Sequence, residues 1–402
     1  MIPSSLALLL SICLTLILLR FRVIAGLAIL CGGLALAISV LPLSDIPGLV
    51  IKTLSNNQTL QFLLIIASAL ALSRILEIKG LLTMLAQTLE SIGPRVAMTV
   101  TPAIIGLVPM PAGALVSAAA VKDLVPRIGL KPSQATFINY WFRHIWEFSL
   151  PVYPAIIATS IILNVPLSAV VATFLPMLAM AGLVGIVAVF WIFRSKQATA
   201  TSKTKHINVP FRLLVSAWPI LVIVVLVLAG VAAWIAFPAT LIAAMIQQKA
   251  CWHEIRPSLR FGLEPKILVL LISIMFYKTV IETSDSAHAL IADLEALRLP
   301  LVFIVALLPF LIGLVTGLNM AVVGITFPLL APLIGQGIDV NHFAMLLAYV
   351  SGETGLLISP MHLCLMLSTE YFNARLFNVY KYIIPSVVLI EIIALVLFFL
   401  FA

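Results

Sequence analysis

Charged side chains are scarce in this chain, and the few that fall inside apolar stretches are where chemistry can reside. Asn139, Arg143 and Glu147 recur every four residues, so on a helix they share one face, with His144 beside them. A guanidinium there offers the fixed positive charge that pairs with an anionic substrate, and His144 or Glu147 could carry a coupling proton. Further along, Ser351-Gly352-Glu353-Thr354-Gly355 sets a carboxylate between glycines, which predicts a helix break at Glu353, and His362 follows Pro360. Two more stretches are hostile to helix: Pro109-Met110-Pro111-Ala112-Gly113 and Thr316-Gly317-Leu318-Asn319. Backbone N–H and C=O groups freed at such breaks find no partner in lipid, so they must line a cavity that holds water, ions or substrate. Half-helix N-termini favour anions there, and exposed carbonyls favour Na⁺. This logic assigns substrate contacts to Pro109, Met110, Pro111, Gly113, Asn139, Arg143, Thr316, Gly317, Asn319, Ser351 and Thr354. It assigns coupling-ion or proton handling to His144, Glu147, Glu353 and His362. The plainer alternatives are an Arg143–Glu147 structural pair and a His144 that is merely a satisfied polar residue. Lys278 is expected to snorkel to the interface and Glu391 to make a helix–helix contact.

The elements that hold these residues are set by composition. Of 402 residues, 63% are apolar and 9% are charged, with a mean hydropathy of +1.22, where soluble chains carry about 25% charged residues. That balance excludes a water-soluble enzyme, a nucleic-acid binder and a disordered chain. Apolar segments long enough to cross a bilayer recur from end to end, continuous and rich in Leu, Ala and Ile, which excludes a β-barrel. The predicted class is an all-α polytopic membrane protein of about 10 transmembrane helices plus two re-entrant hairpins in two inverted repeats. Full spans are expected near 4–19, 22–41, 59–76, 134–162, 167–193, 213–229, 231–247, 265–283, 340–368 and 376–401. Met1 to Leu19 lacks a basic flank and a cleavage site and reads as a retained first helix. The net charge of +8 fits cytoplasmic loop charge. Cys13, Cys31, Cys251 and Cys364 are far apart, without metal-ligand spacing or a disulfide framework, and read as small apolar residues.

Loop charge tests whether 95–121 and 301–334 cross the membrane or turn back. With both as hairpins and both termini outside, the inside loops hold 19 of the 23 Lys and Arg residues, all but Lys52, Arg298, Arg143 and Lys278. A crossing at 95–121 would put Lys122, Arg127 and Lys131 on the wrong side. The same topology exposes a duplication: Thr101–Val108 (TPAIIGLV) matches Leu308–Val315 (LPFLIGLV), and Tyr140 and Pro151 match Tyr349 and Pro360. The expected organisation is N-terminal scaffold helices at 1–58 and a first repeat at 59–193, with hairpin 95–121 and interrupted helix 134–162. A basic cytoplasmic linker at 194–212 and a linking helix pair at 213–264 follow. The second repeat covers 265–401, with hairpin 301–334 and interrupted helix 340–368. Residues 282–300 carry Glu282, Asp285, Asp293 and Glu295 and suit an outside loop or surface helix.

The stretch Gly106–Ser117 (GLVPMPAGALVS), followed by Asn139–Glu147 (NYWFRHIWE) and Pro151–Pro154, resembles the signature of an uncharacterised prokaryotic integral-membrane family, a domain of unknown function. That family is placed near the gluconate-permease-like members of the ion transporter superfamily. The resemblance covers nearly the whole chain, including Ser351–Gly355 and Ser359–Cys364. It implies a dimerising scaffold and a transport domain that carries both hairpins and both interrupted helices. It also implies elevator-type movement of anions, mainly carboxylates, driven by Na⁺ or H⁺. The Ser-Asn-Thr signatures of the Na⁺-coupled dicarboxylate branch are absent from both hairpin tips, and His144, Glu147 and Glu353 make proton coupling at least as fitting.

The expected function is therefore secondary active transport of a small organic anion, a carboxylate or sugar acid. No cofactor is expected beyond Na⁺ as an alternative coupling ion. The expected partners are the anionic substrate, the lipid bilayer and a second copy in a homodimer, with no nucleic acid. The setting is a prokaryotic inner (plasma) membrane. The alternatives are a lipid-linked-carrier flippase or a channel, and an intramembrane metal-dependent hydrolase using His144, Glu147 and His362.

Overall fold

The computed structural model describes residues 3–80, 93–109, 113–194, 209–298 and 300–402. Met110 and Pro111, and 195–208 of the expected linker, lie outside the described residues. The regular elements are all helical. The N-terminal group is α1 (Ser4–Arg20), α2 (Ala25–Val40), α3 (Ile46–Ser55) and α4 (Asn57–Ile78). A first broken set follows: α5 (Pro94–Gly106), α6 (Gly113–Val121), α7 (Leu124–Ile128), α8 (Pro132–His144), α9 (Pro154–Ile162) and α10 (Leu167–Arg194). Then come α11 (Val209–Leu228), α12 (Ala233–Gln247) and α13 (Trp252–Gly262). The last set is α14 (Pro265–Ser284), α15 (Ser286–Ala296), α16 (Leu301–Thr316), α17 (Asn319–Ile334), α18 (His342–Leu357), α19 (Leu363–Tyr371) and α20 (Leu376–Phe401).

Among the described residues, four stretches are long and apolar enough to cross a bilayer: Asn57–Ile78, Leu167–Arg194, Trp252–Ser284 and Leu376–Phe401. Shorter apolar helices fill the bundle between them. Burial runs opposite to that of a water-soluble protein. Ile186, Phe190 and Trp191 on α10 and Phe399 and Phe401 on α20 face outward, while Arg143, Glu147, Lys278 and Glu353 face inward. An outer surface this apolar is stable only against lipid. The molecule is an all-α polytopic membrane protein.

Both helix-hostile stretches break as expected. α5 ends at Gly106 and α6 begins at Gly113. α16 ends at Thr316, and Gly317 takes a left-handed conformation (φ +63) in which side chains are strained. α17 then starts at Asn319. Between α8 and α9 the chain tightens into a 3₁₀ turn, Ile145–Phe148, then leaves the helix around Pro151. Asn341 starts α18 by accepting from the backbone N–H of Phe343 and Ala344 at 3.1 and 3.0 Å.

One break falls elsewhere than expected. Ser351–Gly355 stays inside α18, and the interruption comes at Ile358–His362, around Pro360. The glycines serve packing instead. A Cβ on Gly313 would meet the Gly352 carbonyl, and one on Gly355 would meet the Phe310 carbonyl, so α16 and α18 approach backbone to backbone. Lys278 is a second correction. It does not snorkel but is buried, with Nζ 3.1 Å from Gln58 Oε1, 3.5 Å from the Ile161 carbonyl and 3.6 Å from Glu282 Oε1. Partners from α4, α9 and its own helix satisfy the ammonium inside the bundle, so it need not reach the interface.

The two broken sets interlock. α9 packs on α17 and α19 packs on α6, so the helix after each break lies against a helix of the other broken set. α5 packs along α8 as α16 packs along α18.

Candidate functional site

The interlocking brings the break after α8 against the break after α18. Pro132 opens α8, and the Gln134 side chain accepts from the Lys131 backbone N–H at 3.0 Å, which fixes the start of the helix. Its far end is held by α5. Trp146 Nε1 donates to the Ala103 carbonyl at 2.6 Å, and the Tyr153 hydroxyl donates to the Gly106 carbonyl. Gly106 itself lies against the Arg143 backbone, with no room for a Cβ. Ser359 Oγ donates to the Leu314 carbonyl at 2.6 Å and ties the second break to α16.

At this meeting point Arg143, His144, Glu147, Asn319, Glu353 and His362 come together. Arg143 is 3% exposed, His144 1% and Glu353 0%, so these charges and dipoles are removed from lipid and water alike. Arg143 Nη1 lies 3.4 Å from His144 Nε2 and 3.8 Å from Glu147 Oε1. His144 Nε2 is 3.1 Å from His362 Nε2 and 3.8 Å from Glu147 Oε1. Asn319 Nδ2, in the first turn of α17, donates to Glu353 Oε2 at 2.5 Å. Glu147 and Glu353 lie beside one another, and among the described residues no donor reaches Glu353 Oε1. The Arg143–Glu147 distance makes a loose pair, longer than a charge-assisted hydrogen bond.

The remaining expected residues fall around this cluster. Thr316 Oγ1 bonds the Ile312 carbonyl at 2.7 Å and accepts from the Leu318 N–H at 3.3 Å, shaping the tip. The Gly317 carbonyl points to His362 Nδ1 at 2.9 Å. Asn139, one turn before Arg143, donates to the Ala114 carbonyl at 3.1 Å and to Ser368 Oγ at 3.0 Å, and its Oδ1 has no hydrogen-bond partner among the described residues. The Pro109 carbonyl accepts from Ser73 Oγ at 2.9 Å, and Gly113 is buried at the start of α6. Ser351 and Thr354 do not join the cluster. They lie on the opposite face of α18 and donate to the two Glu391 oxygens at 2.6 and 2.8 Å, which makes Glu391 a link between α20 and α18.

Three residues of the site were not singled out in the sequence. The Tyr349 hydroxyl donates to the Glu147 carbonyl at 2.8 Å, and the Tyr140 hydroxyl donates to the Leu357 carbonyl at 3.1 Å, so each interrupted helix clasps the other's break. The signal for both was present, since Tyr140 and Tyr349 occupy matching positions in the two halves. Cys364 is the third. Its sulfur lies within 4.8 Å of a ring nitrogen on each of His144 and His362. It stands two residues past His362.

A polytopic helical membrane protein with a buried ionisable cluster at paired helix breaks is the class that fold and site define. By sequence the chain belongs, over residues 2–401, to the family described as Protein of unknown function (DUF401). No protein of curated function matches it. Among solved structures it is similar to the YdaH transporter of Alcanivorax borkumensis, whose crystal structure is described as revealing an unusual topology. The two share 14% identity over 88% of this chain and 87% of that one, with a TM-score of 0.47.

Proposed function

We propose that this protein is a secondary active transporter of a small organic anion, a carboxylate or sugar acid, coupled to H⁺ or Na⁺. One observation carries the reading: a guanidinium, two imidazoles, an amide and two carboxylates are buried together where two interrupted helices and a hairpin tip meet. Such groups are expensive to bury inside a membrane bundle, and they mark the path of a polar solute. In this reading Arg143 pairs with the substrate's negative charge, and the tip residues Gly317 and Asn319 close over it. Glu353, with Asn319 on one oxygen and no donor on the other, takes the coupling proton or ligates Na⁺. The two broken sets act as inverted repeats of a transport domain that moves in an elevator fashion against scaffold helices of a homodimer. The membrane is a prokaryotic plasma membrane, with both termini outside. The motif resemblance to gluconate-permease-like transporters supports the substrate class and the mode of movement.

The test is thermal stability of purified protein against small carboxylates, sugar acids and inorganic anions, each with and without Na⁺, at acid and neutral pH. A ligand that binds the folded state at one hundred times its Kd adds about 2.7 kcal/mol. One anion class should stabilise the protein, with the effect strengthened by Na⁺ or by acid. Arg143→Gln should abolish the effect, and Glu353→Gln should keep anion binding but remove its dependence on the coupling ion. No stabilisation by any anion, or full stabilisation in Arg143→Gln, refutes the assignment.

A further inference from the structure

The two histidines at the crossing are oriented in a way that anion binding does not require. His144 Nδ1 lies 2.6 Å from the Tyr140 carbonyl, and His362 Nδ1 lies 2.9 Å from the Gly317 carbonyl. A backbone carbonyl only accepts, so each Nδ1 carries the ring hydrogen and each Nε2 presents a lone pair. These two lone pairs face each other at 3.1 Å. Two acceptors at that distance repel unless a proton or a metal ion lies between them. A carbonyl on the remote nitrogen is also the usual way a protein fixes the tautomer and tilt of a metal-binding histidine.

The third group selects among cations. Cys364 Sγ and one ring nitrogen of each histidine all lie within 4.8 Å of one another, the one such grouping of metal-ligating atoms among the described residues. We propose that His144 Nε2, His362 Nε2 and Cys364 Sγ form a site for a thiophilic divalent transition metal such as Zn²⁺. The ion would bridge the break of the first interrupted helix to that of the second. Zn–N bonds of about 2.0–2.1 Å put two tetrahedral ligand nitrogens about 3.3 Å apart, close to the separation present here. Glu147 Oε1, 3.8 Å from His144 Nε2, stands beside the position of a fourth ligand.

Arg143 Nη1 donates to His144 Nε2 at 3.4 Å, so a cation at that nitrogen must displace the guanidinium. With metal bound, the ion and Arg143 face the Cys364 thiolate and the Glu147–Glu353 pair. His362 and Cys364 are half-buried, and Met361 and Leu363 beside them are exposed, so this edge gives the ion a way in. The inference goes beyond the transport reading and stands whether or not the chain moves an anion.

The experiment uses the full-length chain with Cys13, Cys31 and Cys251 replaced by Ser, freed of metal by chelation and titrated with Co²⁺ and then Zn²⁺. One equivalent of Co²⁺ should bind and give a thiolate-to-metal charge-transfer band, which Zn²⁺ then displaces. Cys364→Ser should lose the band while keeping a weaker visible spectrum, and His362→Gln should weaken Zn²⁺ binding by about tenfold or more. Absence of the band in this three-serine background, whose replaced cysteines are all exposed, overturns the proposal. A band that survives in Cys364→Ser overturns it equally. Neither result bears on anion stabilisation, so the two readings fail separately.

Discussion

Gly313→Ala is the substitution whose consequence can be worked most directly from atomic positions. A Cβ there meets the Gly352 carbonyl oxygen in hard collision, Leu356 N at 2.9 Å and the Gly352 carbonyl carbon at 3.2 Å. All three are backbone atoms of α18, so no side chain can swing away, and the two helices must part. Overpacking of this kind costs about 1–3 kcal/mol, against which alanine recovers up to about 1 kcal/mol of helix propensity. Gly182→Ala on α10 is the matched control, since nothing lies within 4 Å of its Cβ and only the propensity gain remains. The two variants should therefore differ by about 1–3 kcal/mol, a separation of several degrees in Tm at roughly 2–4 °C per kcal/mol. Because Glu353 and Tyr349 ride on α18, the same displacement pulls them from Asn319 and from the Glu147 carbonyl. Ligand-induced stabilisation should then fall in Gly313→Ala and persist in Gly182→Ala. Thermal unfolding of the detergent-purified variants, with and without the stabilising anion, measures both. Equal Tm values for the pair would refute the claim that α16 and α18 meet backbone to backbone.

Two further outcomes are expected. Lys278→Met removes the donor to Gln58 Oε1 and one of two donors to the Ile161 carbonyl and should cost about 1–2 kcal/mol, whereas Glu282→Gln, whose side chain is 45% exposed, should be close to neutral; the reverse order in thermal unfolding would show that the ammonium is not held by those groups. At the bundle's edge, Lys79 Nζ lies 2.7 Å from Glu254 Oε2, which also accepts from the Cys251 N–H at 2.9 Å. Protonation of the carboxylate removes the ion pair, so Lys79→Met should be slightly less stable than the parent at neutral pH and equal to it in acid, and a deficit that grows toward acid pH in unfolding measurements would contradict this.

Much of the fold was legible because the bilayer imposes length and polarity on each segment separately. The apolar run 376–401 became α20 with those bounds, α5 ended short of Pro109, and Gly317 interrupted a helix where a left-handed backbone made continuation costly. Arg143, His144, Glu147 and Glu353 could be singled out for the same local reason, since a charge in an apolar segment needs a partner wherever the segment goes. Local sequence misled where glycine had two uses. Gly352 and Gly355 look like a break around Glu353, yet they keep helical geometry and admit α16 to the backbone of α18. Ser351 and Thr354 were drawn to the site by proximity in sequence, but the helical twist turns them toward Glu391. The amino-acid sequence by itself determined that this is a helical membrane protein with polar groups buried at helix breaks. Only the tertiary structure decided that His144, His362 and Cys364 converge. Residues 218 positions apart have no local signal of proximity, because their contact is set by α9 crossing to α17 and α19 crossing to α6, a packing choice made between helices and not within them.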